Sequence, residues 1–220
     1  MHRDLCSEEK KMTIETNKAL GGVGAILMFI GIIPVISSYA IIELIGLILV
    51  MVALYNLASY YTERGIFNNA LYGLIAGIVG GVIAAVVVFV AVITSLTDFL
   101  YQIFPTWNGD WTALSGLTPD VSNLNPTDIL PFVGGILGAL AILWIFTIIA
   151  AFFVRRSVVS LSEKSGVGLF STAGLLMLIG SVLIIAFGLG LILIWISALL
   201  LAIAFFQIKP QQPTSAATPT

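Results

Sequence analysis

ALYGLIAGIVGGVIAAVVVFVAVITSLT, Ala70 to Thr97, runs for 28 residues without a charge. As a helix rising 1.5 Å per residue it would be about 42 Å long, enough to cross the roughly 30 Å hydrocarbon core of a bilayer. Five further apolar stretches approach or reach spanning length: Gly21 to Ser37, Ala40 to Ala58, Leu130 to Val154, Leu169 to Phe187 and Leu189 to Ile208. The remainder of the chain is consistent with lipid as its solvent. Of its 220 residues 59% are hydrophobic and only 9% charged, with a mean hydropathy of +1.11. Soluble domains carry roughly 25% charged residues, and so few here would leave a water-facing surface uncovered. The expected fold is therefore all-α, a polytopic membrane bundle of six helices arranged as three hairpins.

The charges are segregated along the chain. Arg3, Lys10, Lys11 and Lys18 precede the first span, Arg64 follows the second, Arg155, Arg156 and Lys164 follow the fourth, and Lys209 follows the sixth. Six crossings place all of these on one side, and Lys and Arg are disfavoured in short translocated loops. The sequence thus predicts a polar cytoplasmic N-terminal segment over 1–18, a transmembrane domain over 19–208 and a disordered, Pro-rich cytoplasmic tail over 209–220. The loop 98–129 has Asp98, Asp110, Asp120 and Asp128 but no Lys or Arg, so it belongs outside. Met12 is an alternative start to Met1.

Finer local structure follows from residue type. Ser37, Ser38 and Tyr39 read as a tight outer turn, and Gly188 with Gly190 as its counterpart between spans five and six. Leu96, Phe99, Leu100 and Ile103 recur at helical spacing, predicting that span three continues as a helix along the membrane surface until Pro105 ends it. Trp107 to Pro126 has a turn composition rather than that of packed secondary structure, and Thr127 reads as the N-cap of span four. Tyr60-Tyr61, Phe152-Phe153 and Phe205-Phe206 are placed as interfacial anchors at the cytoplasmic ends of their spans, with Tyr39, Tyr101, Trp107 and Trp111 on the outer side.

Packing between spans is expected at small residues, because lipid offers little hydrophobic drive for helix association. Gly73, Gly77 and Gly81 form a stripe at every fourth position, and Gly134 and Gly138 repeat the spacing in span four. The two spans are expected to cross there, and the same stripe is available to a second copy or to a membrane-protein partner. The chain also resembles itself. GAILMFIG at Gly24 to Gly31 parallels AGLLMLIG at Ala173 to Gly180, and ILVMVALYNL at Ile48 to Leu57 parallels LLLAIAFFQI at Leu199 to Ile208. All hairpins enter from the cytoplasm, so such a repeat is parallel rather than inverted.

Chemistry is sparse. Glu43 is the one ionisable residue inside a predicted span, close to its outer end, which makes it the candidate proton or ion site against a plain interfacial carboxylate. The four loop aspartates match no calcium-loop spacing. His2 is the lone histidine and Cys6 the lone cysteine, so His-dependent proteolysis, a His-Glu-x-x-His zinc site and an intramolecular disulfide are all excluded. No predicted span core holds an aspartate pair, there is no phosphate-binding G-x-x-x-x-G-K-[ST], and Gly21-Gly22-Val23-Gly24 opens a membrane helix without a preceding strand. The expectation is of no enzyme, no cofactor, no metal and no nucleic-acid partner; the lipid bilayer is the partner the composition demands. A non-catalytic accessory or structural membrane component is the first reading. A small permease or channel subunit, using Glu43 with Ser37, Asn56, Thr94, Thr147 and Ser197 along a path, is the alternative.

LGGVGAIL from Leu20, ALYNLASYYTERGIFNNAL from Ala53, SEKSGVGLFSTAGLLMLIG from Ser162 and ALLLAIAFFQI from Ala198 together resemble domain of unknown function 996. The resemblance extends over roughly Lys18 to Lys209. It implies a prokaryotic, largely archaeal, multispanning membrane protein, and carries over no activity, cofactor or site residue.

Overall fold

The structure, a computed structural model, describes residues 2–31, 40–120, 122, 126–185 and 188–210. Among the described residues every regular element is helical: α1 (His2–Gly31), α2 (Ala40–Tyr60), α3 (Arg64–Ile103), a short 3-10 helix (Trp111–Gly116), α4 (Pro126–Ser165), α5 (Leu169–Leu183) and α6 (Leu189–Phe206). The protein is an all-α membrane bundle. Four helices, over Ile41–Tyr60, Arg64–Ile103, Ile129–Ser165 and Leu189–Phe206, are long and apolar enough to cross a bilayer, with mean hydropathies of 2.3 to 2.9. The apolar part of α1 runs into the undescribed 32–39, so the first span and its Ser37-Ser38-Tyr39 turn lie partly or wholly outside the described residues. At 15 residues α5 is shorter than a full span.

Several boundaries differ from the sequence expectation. The polar N-terminal segment is helical from His2 and continuous with the apolar part of α1; Glu, Lys and Met are good helix formers, and no Gly or Pro interrupts them before Gly21. Rather than a span followed by a separate surface helix, α3 is one 40-residue helix, about 60 Å long. It has no internal proline to break its hydrogen-bond ladder. Pro105 does end it, after Phe104 N–H has closed a last bond to Leu100 O. Likewise α4 begins at Pro126, one residue ahead of the expected Thr127 cap, and carries on past Val154 to Ser165. Proline suits a first turn because its missing N–H would find no partner there in any case.

The chain divides into two compact units, 1–75 with 148–220 and 76–147. In the first unit, one end of all six helices meets in a single core. Ile14, Leu57, Ile66, Leu161, Phe170, Phe205 and Ile208 are fully buried in it. Neighbours in sequence are neighbours in space: Tyr55 of α2 meets Phe67 of α3 edge to face at 5.2 Å, Tyr72 of α3 meets Phe153 of α4 at 5.8 Å, and Gly174 of α5 lies against Val158 of α4. Contact between α1 and α6 closes the ring, where Phe29 stacks on Trp195 at 4.6 Å and Trp195 Nε1 donates to Phe29 O at 2.9 Å. Two expected interfacial anchors are core residues instead: Phe205 is fully buried and Tyr61 nearly so, while their neighbours Phe206 and Tyr60 are not. Adjacent residues on a helix point about 100° apart, so a pair of aromatics cannot share one environment.

The internal resemblance has a structural counterpart. A Cβ added at Gly24 would lie 2.7 Å from Gly46 O, and one at Gly31 would lie 3.0 Å from Glu43 Cβ. In the register of the quoted matches these pairs correspond to Ala173 with Ser197 and Gly180 with Ile194. Ser197 Oγ donates to Ala173 O at 2.8 Å, and a Cβ at Gly180 would lie 2.9 Å from Ile194 Cγ1. The hairpins α1–α2 and α5–α6 therefore meet at residues that correspond in the two matched stretches. The turn into α6 forms where expected, with Gly188 at φ +76°, a left-handed conformation that glycine adopts without a Cβ clash.

The second unit contains the rest of α3, the 3-10 helix and the start of α4. Its outer surface is apolar: Ile78, Val82, Val86, Phe89 and Ile93 on α3, and Leu130, Leu137 and Leu140 on α4, are all more than half exposed. Exposed large aliphatics in such number are a lipid-facing surface, since soluble monomers rarely show contiguous apolar patches of this extent. Within the turn-rich stretch after α3 the described residues include a 3-10 helix and an aromatic cluster. Trp107 is buried, donates from Nε1 to Asp110 O, and packs between Tyr101 and Trp111 with ring centroids 5.1 Å from each. The aromatics supply the packing that the surrounding Asn, Gly, Ser and Thr cannot.

Candidate functional site

Glu43 stands in the first turn of α2, exposed, beside Gly31 of α1. A carboxylate there is favoured by the helix dipole, an effect of about 0.3–1 kcal/mol at an exposed position. Among the described residues it has no hydrogen-bond or ion-pair partner. Each of the other described polar residues read along a path is held by a hydrogen bond of its own. Thr94 and Thr147 donate to carbonyls of their own helices, at Val90 and Leu143, as hydroxyls commonly do inside apolar helices. Ser197 is occupied with Ala173 O, and Ser37 lies outside the described residues.

Asn56 has a different role from the one expected. Its Nδ2 donates to Oδ1 of Asn17 across α1 and α2 at 2.8 Å, and Asn17 is only 2% exposed, with its own Nδ2 buried and unpaired. Nearby in the same core the Tyr61 hydroxyl is also buried without a partner, and burial, with Tyr60 alongside, pushes its pKa up to about 12. Sequence reasoning missed Asn17 because it was placed in a polar tail, where an asparagine needs no explanation. The asparagine pair holds α1 and α2 in register. Asn56→Leu, which leaves the Asn17 amide wholly unpaired, is expected to cost about 1–3 kcal/mol, and adding Asn17→Leu to recover most of that loss. Unfolding in a mixed-micelle titration measures both.

The expected glycine stripe is only partly the contact surface. Gly73 packs on α4, where an added Cβ would lie 2.9 Å from Ala150 O and from Val154 Cγ2. At Gly77, Gly81, Gly134 and Gly138 it would meet nothing within 4 Å. The close approaches in the second unit are instead Gly80 on Phe146 and Gly135 on Ala91. Helix geometry gives the reason. A step of four residues advances about 40° around the axis and winds away from a neighbour, whereas a step of seven returns to within about 20°. Gly80, Ala84, Ala91 and Ser95, the buried positions of α3 in this unit, follow the four-and-seven spacing of helices crossing at a shallow angle.

Two of the loop aspartates, Asp110 and Asp120, tie down the backbone two residues on. Asp110 Oδ1 accepts from Thr112 N at 2.9 Å and Thr112 Oγ1 at 2.7 Å, starting the 3-10 helix, and Asp120 Oδ1 accepts from Ser122 N and Oγ. These bonds hold both carboxyls below the ordinary aspartate value of 3.8. A depressed folded-state pKa means stabilisation present above the unfolded value and lost as pH falls through the folded one. The Thr112 amide resonance of the protein in micelles is therefore expected to hold its position down to the ordinary aspartate value and to move only below it.

One further feature belongs to the first unit. A cleft of about 630 Å³ opens where α1, the α4–α5 turn and the end of α6 meet, lined among others by Lys18, Gly168, Leu169, Phe206, Gln207 and Lys209. Glu43 is not among its lining residues. Comparison with known proteins bears on the class of the chain rather than on this cleft. A model described as a protein of unknown function, DUF996, matches residues 42–199. The chain belongs to the DUF996 family. A curated relative, an uncharacterized protein of Methanocaldococcus jannaschii, is 28% identical over 201 residues, covering 90% of this chain and 94% of the relative. No solved structure matches. The family match spans α2 to the middle of α6 and so takes in Gly46 and the α4–α5 turn.

Proposed function

We propose that the protein is a non-catalytic structural or accessory component of the prokaryotic cell membrane, with both termini in the cytoplasm. The observation that carries this reading is the closely packed core in which one end of six helices meets, filled by fully buried Phe170, Phe205, Ile14, Leu57, Ile66 and Leu161. A packed bundle suits a component that holds helices in place. A transport path would need a polar cavity reaching Glu43, and Asn56, Thr94, Thr147 and Ser197, the described polar residues read for one, are engaged in intrahelical or interhelical bonds. Orientation is supported by charge: every Lys and Arg falls in 1–75 or 148–220, while 76–147 has Asp98, Asp110, Asp120 and Asp128 and no cation. The apolar faces of α3 and α4 supply the surface for lipid or for a membrane-protein partner. Mild-detergent purification of the tagged protein from its own membranes tests the reading. A stoichiometric membrane partner is the expected result, whereas Glu43-dependent ion or proton flux by the protein alone in liposomes contradicts it.

A further inference from the structure

The cleft in the first unit combines three properties that call for one kind of ligand. Its charged lining residues are Lys18 and Lys209, and no carboxylate belongs to its wall. Among the described residues exposed Lys209 has no ion-pair partner, while half-buried Lys18 meets the exposed Glu15 at 3.6 Å, an i, i+3 pair at the surface of the kind that is worth little and easily exchanged. The remaining wall is mixed: Phe206, Leu169 and Ile208 are apolar, and Ser165 and Gln207 carry hydrogen-bonding side chains. The cleft also lies where α6, a spanning helix, ends at Phe206, and so at the level where lipid headgroups meet water. At about 630 Å³ it has the size of an ordinary small-molecule site.

We propose that this cleft binds the phosphate group of an anionic phospholipid, with Lys18 and Lys209 pairing with the phosphate and Phe206 and Leu169 lying against the glycerol and upper acyl chains. Two cations facing a concavity without an acidic residue favour an anion, and the apolar wall beside them favours one that continues into hydrocarbon. Juxtamembrane lysines acting diffusely on an anionic surface would need neither the concavity nor that wall. The proposal is independent of whether the protein has a membrane partner.

The test uses the full chain in nanodiscs of zwitterionic lipid doped with phosphatidylglycerol, with retained lipid counted by native mass spectrometry after gentle detergent release. One tightly held phosphatidylglycerol per chain is expected. Lys18→Gln/Lys209→Gln is expected to weaken its retention about 25-fold, at about fivefold for each juxtamembrane cation, and Lys18→Arg/Lys209→Arg to keep it. Arg64→Gln/Arg156→Gln removes the same charge from exposed residues outside the cleft and is expected to leave the bound lipid in place. Equal loss in the two Gln pairs, with both variants still monodisperse and helical, would mean diffuse attraction and overturn the proposal. In a second arm inorganic phosphate is titrated against the protein in zwitterionic nanodiscs. Phosphate that displaces the lipid only at far higher concentration supports a lipid site, while saturable phosphate binding with no lipid retained overturns it in favour of a free anion.

Discussion

Phe205→Ala is expected to destabilise the protein by about 2–4 kcal/mol, somewhat below the 3–5 kcal/mol typical of a phenylalanine removed from a water-soluble core. Phe205 has no exposed surface; its ring lies edge to face on Phe170 at 5.1 Å and against the bare backbone of Gly21. Truncation removes the ring's contacts with both α1 and α5. In lipid the lost term is mainly dispersion, because the competing environment is itself apolar. The neighbouring Phe206→Ala, at a residue with 43% of its surface exposed, should cost under about 1 kcal/mol. Denaturant midpoints of the two variants in mixed micelles test the contrast, and equal losses would mean that the ring pair is misassigned.

Gly46→Leu is expected to have the largest effect of any single substitution, separating α1 from α2. Even one added carbon at Gly46 would lie 2.6 Å from Gly24 O and 2.9 Å from Met28 N, both backbone atoms that cannot move aside as a flexible side chain can. Overpacking ordinarily costs about 1–3 kcal/mol; a backbone-to-backbone approach should exceed that range, because relief requires shifting a whole helix. Gly77→Leu, in open space, should by contrast leave stability within about 0.5 kcal/mol. Denaturant midpoints of Gly46→Leu and Gly77→Leu in mixed micelles test the contrast, and equal losses would mean that α1 and α2 do not meet at Gly46.

The contrast between those glycines shows what could be read beforehand. Length and hydropathy were sufficient for the helical class, because covering a spanning helix with lipid is a property of each segment alone. The Gly188 turn and the helix stop at Pro105 were legible for a similar reason: both act locally, through a positive φ and a missing N–H. Which glycines touch another helix was not legible, since Gly73 and Gly77 are identical in sequence character and differ only in where a neighbour lies. The same holds for Asn17, whose burial depends on α2 passing beside it, and for Tyr61 and Phe205, which composition assigned to the interface. Trp107 misled in the opposite direction: within a turn-rich stretch one indole packs between Tyr101 and Trp111, which had been read only as anchors. The cleft went unnoticed because Lys18 and Lys209 stand at opposite ends of the chain and are brought together only by the closure of α6 onto α1.

Everything above depends on the apolar helices residing in a bilayer, and the partition of the expressed chain between membrane and aqueous phases tests that most directly. After detergent-free lysis and an alkaline carbonate wash, the full-length protein is expected in the ultracentrifuge pellet and to be released only by detergent, as a monodisperse helical species. Recovery of the same chain from the supernatant, folded and monodisperse without detergent, would contradict the account.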